Sequence, residues 1–354
     1  MTQIEKNSYG STTANEDVSE FRLRNLSGRE VSIITYGGII TEIITPDSDG
    51  RMENVALGFD NLEQCEKENP FFGALVGRYG NRIAKGKFAL NDTEYTLAIN
   101  NGENSLHGGL KGFDKVVWKV DEVNESDTFV SLKLSYLSKD MEEGFPGNLK
   151  TTVTYTLKSD NSLDILYEAT TDKTTIVNLT QHSYFNLSGN FSQTIVDHEV
   201  EIDANEFVPV DATLIPIGNL TSVEGTPFDF RNARLVGNAI NAENEQIKLG
   251  AGYDHCWVLN NQEKGYRSVA KARHPKSGRM MEVLTDQPGM QFYTGNFLNG
   301  TLSAPGGGTF AKRSGFCFET QHYPDSPNQP LFPSTTLEPS DKYSTQTTYK
   351  FSVE

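Results

Sequence analysis

Cysteine is scarce. The 354 residues contain three, Cys65, Cys256 and Cys317, widely separated and odd in number. No C-x-x-C pair occurs, so neither a zinc knuckle nor a disulfide framework is expected. Free thiols fit a reducing compartment. Long apolar runs are missing as well, and none approaches the ~20 residues that a membrane-spanning helix needs. The first twenty residues lack the apolar core of a secretory signal. These absences predict a cytoplasmic protein that does not contact membranes. Positive charge is in short supply too, with 31 Lys and Arg against 47 Asp and Glu and a formal net charge of -16. Such a field repels nucleic acid and anionic lipid. A neutral small molecule would be indifferent to it.

Several chemical signatures are also absent. No G-x-G-x-x-G opens a helix and no P-loop occurs, which argues against nucleotide cofactors. Without a G-x-S-x-G elbow, a serine hydrolase of that type is excluded. H-E-x-x-H is missing, so no metal site is expected despite the histidines.

Period-2 alternation, by contrast, runs almost the whole length of the chain. Thr151-Thr152-Val153-Thr154-Tyr155-Thr156-Leu157 is β-branched and aromatic, a good pleated surface. Similar short runs recur with turn signals between them, and 31 glycines shape the connections. Helical spacing is confined to 60–69, with Asp60 as its expected cap, and more weakly to 234–246. This pattern predicts an all-β fold, a large antiparallel β-sandwich with few short helices. No blade-length repeat supports a propeller. The expected organisation is a polar N-terminal arm over 1–17 and one continuous domain over 18–354.

The chemistry gathers in a few stretches. Phe316-Cys317-Phe318-Glu319-Thr320-Gln321 reads as a strand that Pro324 stops. A carboxylate inside a run of aromatics and a cysteine is partly desolvated, which costs several kcal/mol in rough terms. Desolvation raises its pKa and suits it to proton transfer near neutrality. Taken alone, a glutamate on the solvent face of a half-buried strand would be the simpler reading. Its company shifts the balance. Gly77-Arg78-Tyr79-Gly80-Asn81-Arg82 puts two arginines on a glycine-shaped loop. His107 precedes paired glycines, His182 follows an apolar strand, and Asp254 opens another. A histidine taken singly is more often structural, and His198 and His274 are left as such. Together, a Glu, several His, an Asp and an Arg on an all-β scaffold suit proton transfer on a neutral polyhydroxylated ligand.

These stretches occur in an order similar to that of the galactose mutarotase (aldose 1-epimerase) family. The resemblance rests on Gly77-Arg78…Asn81-Arg82-Ile83-Ala84-Lys85-Gly86, Asn104 to Gly109, His182 to Leu187, Gly252 to His255, Pro288 to Asn296 and Cys317 to Gln321. It runs from about Val18 to the C-terminus. It implies a supersandwich with a shallow sugar cleft, no metal or cofactor, and anomer interconversion of free hexoses such as galactose and glucose. It further implies that Glu319 is the general base and His182 the general acid. Asn81, Arg82, His107, Tyr184, Asp254 and Gln291 match sugar-binding positions, and Arg78 reads as structural. Tyr79-Gly80 departs from the aliphatic residue and Ala usual there, which bears on the loop's shape. A monomer or weak dimer is expected. Two alternatives stand beside this reading: a hexose-6-phosphate 1-epimerase, which needs more cations, and a non-catalytic carbohydrate-binding protein, which needs no opposed Glu and His.

Overall fold

A computed structural model describes residues 2–67 and 69–354. Two large sheets dominate it. The nine-stranded sheet runs from the edge strand Lys119–Glu125 through Phe129–Ser138, Leu149–Lys158 and Ser162–Thr171 to the long C-terminal strand Tyr343–Val353. It continues through Arg279–Thr285 and Arg267–Arg273. The six-stranded sheet holds Phe316–Gln321, Gly289–Tyr293 and Asp254–Leu259 side by side. Their pairings are antiparallel, so the all-β sandwich expected from the alternation is the fold observed.

Alternation explains the core. In Leu149–Lys158, Val153, Tyr155 and Leu157 are buried while Thr152, Thr154 and Thr156 are only half-buried. The buried set meets Phe292, Phe316 and Phe318 of the other sheet in one continuous apolar cluster. Burying each such aromatic is worth roughly 1.5–3 kcal/mol. The Tyr349 hydroxyl donates to the Phe318 carbonyl at 3.0 Å and ties the C-terminal strand to the strand that carries Glu319.

A third, five-stranded sheet packs at the N-terminal end. Over Gln3–Ser11 the polar arm is its outer strand, paired with Asp17–Arg24 and mostly exposed on both faces. The helix expected over 60–69 is observed over Leu62–Lys67, and Glu68 lies outside the described residues. Its cap is Asn61 rather than Asp60. The Asn61 side chain accepts the Gln64 amide at 3.0 Å, the reach that an N-capping oxygen needs. The weaker stretch over 234–246 holds a 3-10 turn, Val236–Asn238, and the start of a short helix, Glu245–Leu249. Asn244 caps that helix with 3.0 and 3.3 Å bonds to Gln246 and Ile247.

Candidate active site

Register decides which side chains share a face. Gln291 lies opposite Glu319, Tyr293 opposite Cys317, and Asp254 opposite Tyr293. The two-residue period therefore turns Phe292, Phe316 and Phe318 towards the nine-stranded sheet. Cys317, Glu319, Gln291, Tyr293 and Asp254 face the other way. The strand Thr180–His182, paired with Ala74–Val76, brings His182 to the same place. Pairing of Arg82–Ile83 with Ser105–Leu106 brings Asn81, Arg82 and His107.

These groups surround a cavity of about 560 Å³ whose wall includes Asn81, Arg82, His107, His182, Tyr184, Asp254 and Glu319. Gln291 stands one layer back. Its amide donates to Asp254 Oδ1 at 2.7 Å and steadies that carboxylate. Four wall residues, Phe71, Asn81, His107 and Leu214, hold left-handed backbone conformations, with φ of 67°, 67°, 51° and 63°. For side chains of this bulk such a backbone stores strain, of order 1–3 kcal/mol each, and strain concentrates at functional sites.

Glu319 is 2% exposed, and its Oε1 lies 3.6 Å from Nε2 of His182, which is also buried. Glu319 Oε2 has no hydrogen-bond partner among the described residues. His107 Nδ1 accepts the backbone N–H of Asn81 at 3.1 Å, which fixes the ring proton on Nε2. The His107 and His182 rings meet nearly at right angles, with centroids 5.2 Å apart, and Phe71 packs against both. Tyr184 stacks beside His182 and spends its hydroxyl on the Pro70 carbonyl at 3.0 Å.

Burial dominates the electrostatics. It pushes Glu319 well above the usual carboxylate range; Asp254 adds to the rise and Arg82 opposes it. Burial also raises Asp254, against Arg82 and the Gln291 bond. His182 is pushed down to about 4 by desolvation. His107 is driven well below the usual imidazole value by desolvation, helped by His182 and Arg82. In each case the buried site disfavours the charged form.

The remaining motif residues have structural work. Arg78 is buried and donates to Ser138 Oγ at 2.8 Å and to the carbonyls of Ser138, Lys139 and Pro146. Gly108, at φ +87°, lets the backbone approach so closely that a Cβ there would lie 2.0 Å from the Gly77 carbonyl. The first of the paired glycines after His107 thus serves a close approach of the chain to itself. Tyr79 is wholly buried, and its hydroxyl accepts the Ser326 amide at 3.1 Å. A Cβ on Gly80 would crowd Thr180 at 3.1 Å, so the loop follows a path suited to glycine. The aromatic wall formed by Phe71, Tyr293 and Phe297 was not singled out in the sequence. Nor was Asn101, whose side chain accepts from Arg82 Nε at 3.0 Å.

Two sets of side chains bring three potential metal-ligand atoms within 4.8 Å of one another: His107, His182 and Glu319, and Asp197, His198 and His274. In each set at least one histidine turns a protonated nitrogen towards its neighbours, which does not suit a metal. His107 Nε2 carries its proton for the reason given. His198 Nε2 accepts the Leu187 amide at 3.0 Å and His274 Nδ1 accepts the Ser277 amide at 3.3 Å. The ring nitrogens turned towards Asp197 are therefore the protonated ones. A metal would have to convert these rings to imidazolates.

Comparison with known proteins places this arrangement in a family. The family profile described as aldose 1-epimerase matches residues 19–350. Galactose mutarotase of Sus scrofa is 45% identical over 354 residues, the full length of both chains. Aldose 1-epimerase of Escherichia coli (strain K12) is 40% identical over 334 residues, 94% of each chain. Among solved structures, galactose 1-epimerase of Lactobacillus acidophilus NCFM superposes with a TM-score of 0.87 at 30% identity, covering 100% of this chain and 99% of its own. No helix among the described residues is long and apolar enough to cross a membrane. The chain belongs to the galactose mutarotase (aldose 1-epimerase) family and is an isomerase that interconverts the anomers of aldoses.

Proposed function

We propose that Glu319 is the base and His182 the acid of this reaction. The observation that carries the assignment is a buried carboxylate with an unpartnered oxygen, 3.6 Å from a buried imidazole. Ring opening needs a proton removed from the anomeric hydroxyl and another delivered to the ring oxygen. A Glu–His pair that holds a single proton does both, since Glu319 gains one as His182 gives one up. Rotation about the C1–C2 bond and reclosure, with the roles reversed, give the other anomer. His107 presents a fixed Nε2–H, a donor suited to charge developing on the ring oxygen. Asn81, Arg82, Tyr184 and Asp254 hold the hydroxyls, and Gln291 acts by holding Asp254.

The neutral substrate follows from charge. Arg82 is the sole Lys or Arg among the described wall residues and is opposed by Asp254, which disfavours a hexose 6-phosphate. A non-catalytic sugar-binding protein would have no use for Glu319 against His182. We read free galactose and glucose as the sugars, with galactose suggested by the names of the mammalian relatives. The chain is best read as a cytoplasmic monomer or weak dimer, in keeping with three buried free thiols. We take 18–354 as a single domain, since one apolar cluster runs from Phe21 to Phe351. The test is polarimetry on freshly dissolved α-D-galactose and α-D-glucose. Rotation should relax faster than the spontaneous rate in proportion to enzyme, and no acceleration with either sugar would overturn the assignment of substrate.

A further inference from the structure

Cys317 and Glu319 lie two residues apart on one face of their strand, so their side chains are spaced by roughly 6.6 Å. His182 fills the gap between them. Its Nε2 is 3.6 Å from Glu319 Oε1, and its Nδ1 is 3.6 Å from Cys317 Sγ. One strand thus addresses both nitrogens of a single imidazole. Among the described residues no other side chain or amide bonds Nδ1; the carbonyl of His182 itself also favours a ring proton.

We propose that Cys317 is a positioning residue whose sulfur accepts the Nδ1–H of His182, reserving Nε2 as the nitrogen that gains and loses the proton. The proposal rests on the roles assigned to Glu319 and His182. In the opening step Nε2 releases its proton to the ring oxygen while Glu319 takes the hydroxyl proton. On reclosure both protons return. Nδ1 keeps its own proton throughout and needs a buried acceptor for it. The opposite arrangement, with the thiol donating to Nδ1, would leave a proton on Nε2 facing Glu319. Giving that proton to the ring oxygen would then leave an imidazolate.

The choice of sulfur has a consequence. Burial drives the Cys317 thiol well above its ordinary value, so it stays neutral. A neutral, weak acceptor holds the tautomer without making the ring more basic, whereas a carboxylate in that place would do both. It would also add a third acid beside Glu319 and Asp254. The other titratable groups around the pair, Arg82, His107, Tyr184 and Tyr293, come from other strands and loops and do not approach Nδ1 within bonding distance.

The test uses the full chain labelled with ¹⁵N-histidine, with the His182 signals assigned by their loss in His182→Asn. Two-bond ¹H–¹⁵N correlation reads which ring nitrogen carries hydrogen. The wild-type protein should show a protonated Nδ1 on His182. In Cys317→Ala the other tautomer should appear and kcat should fall about 3- to 10-fold, the scale of one neutral hydrogen bond, with KM within about twofold. Cys317→Ser should restore the tautomer and most of the turnover. An unprotonated Nδ1 in the wild type would overturn the proposal, even if Cys317→Ala failed to fold. So would an unchanged tautomer and kcat in folded Cys317→Ala, or an equal loss in Cys317→Ser. Wild-type turnover in His182→Ala would instead overturn the assigned acid, whatever the tautomer.

Discussion

Two strands of this molecule share a sequence pattern and lead opposite lives. Leu149–Lys158 and Phe316–Gln321 both alternate apolar with polar residues. In the first, the polar set Thr152, Thr154 and Thr156 is half-open to solvent, as alternation ordinarily implies. In the second, all six residues are buried, because loops and short strands roof the outer face. Polar side chains under that roof, Cys317, Glu319 and Gln321, lose water without gaining full sets of partners; both side-chain atoms of Gln321 are orphaned as well. A polar residue on an open face costs little. Under a roof it is expensive to keep.

The comparison can be broken at either strand. His182→Ala, which removes the partner beneath the roof, should cut kcat by roughly 10²–10⁴, the usual worth of a positioned acid, with a smaller change in KM. Steady-state kinetics on a variant with an unchanged melting curve checks it. Asp254→Ala and Arg82→Ala should cost roughly 1–3 kcal/mol each in kcat/KM, expressed mainly in KM, because the role proposed for them is to hold sugar in ground and transition states alike. Saturation curves on galactose and glucose separate the two parameters, and a loss confined to kcat in Asp254→Ala would place it among the proton-moving groups.

The pH profile sharpens the same contrast. In the proposed mechanism the Glu319–His182 pair works while it holds one proton. Acidification adds a second only as pH falls towards the depressed His182 value of about 4. The acid side of kcat/KM should therefore stay flat through about 6.5, where an ordinary imidazole titrates, and decline only as pH approaches about 4. A break at 6.5 would contradict burial as the controlling influence. On the open strand a carboxylate should be unremarkable. Thr154→Glu, opposite Lys133, should change stability by no more than about 0.5 kcal/mol, leave turnover alone, and titrate in the ordinary carboxylate range. Denaturant melts of the two proteins decide it.

Most of the fold was legible because it depends on period 2. The strands around Val153 and Ile165 both alternate, and alternation is read directly from the sequence. What alternation cannot report is whether the outer face is covered. Glu319 drew notice through its aromatic neighbours, but its burial on both faces depends on loops distant in sequence. The same limit explains Gln291. Its place in the chain marks it for the site, yet only the register opposite Glu319 and the bond to Asp254 put it behind the wall. Phe71 escaped because its contacts with His107 and His182 come from a left-handed turn with no sequence period. Cap assignment failed by one residue at Asn61, since Asp60 and Asn61 are both good caps and only geometry chooses.

The most direct test of the account is Glu319→Gln, which keeps the shape of the buried side chain and removes its ability to take a proton. Polarimetry on fresh α-D-galactose, with circular dichroism to confirm the fold, should show turnover reduced by roughly 10²–10⁴ and little change in KM. Near wild-type rates in a folded Glu319→Gln protein would show that the buried carboxylate is not the base.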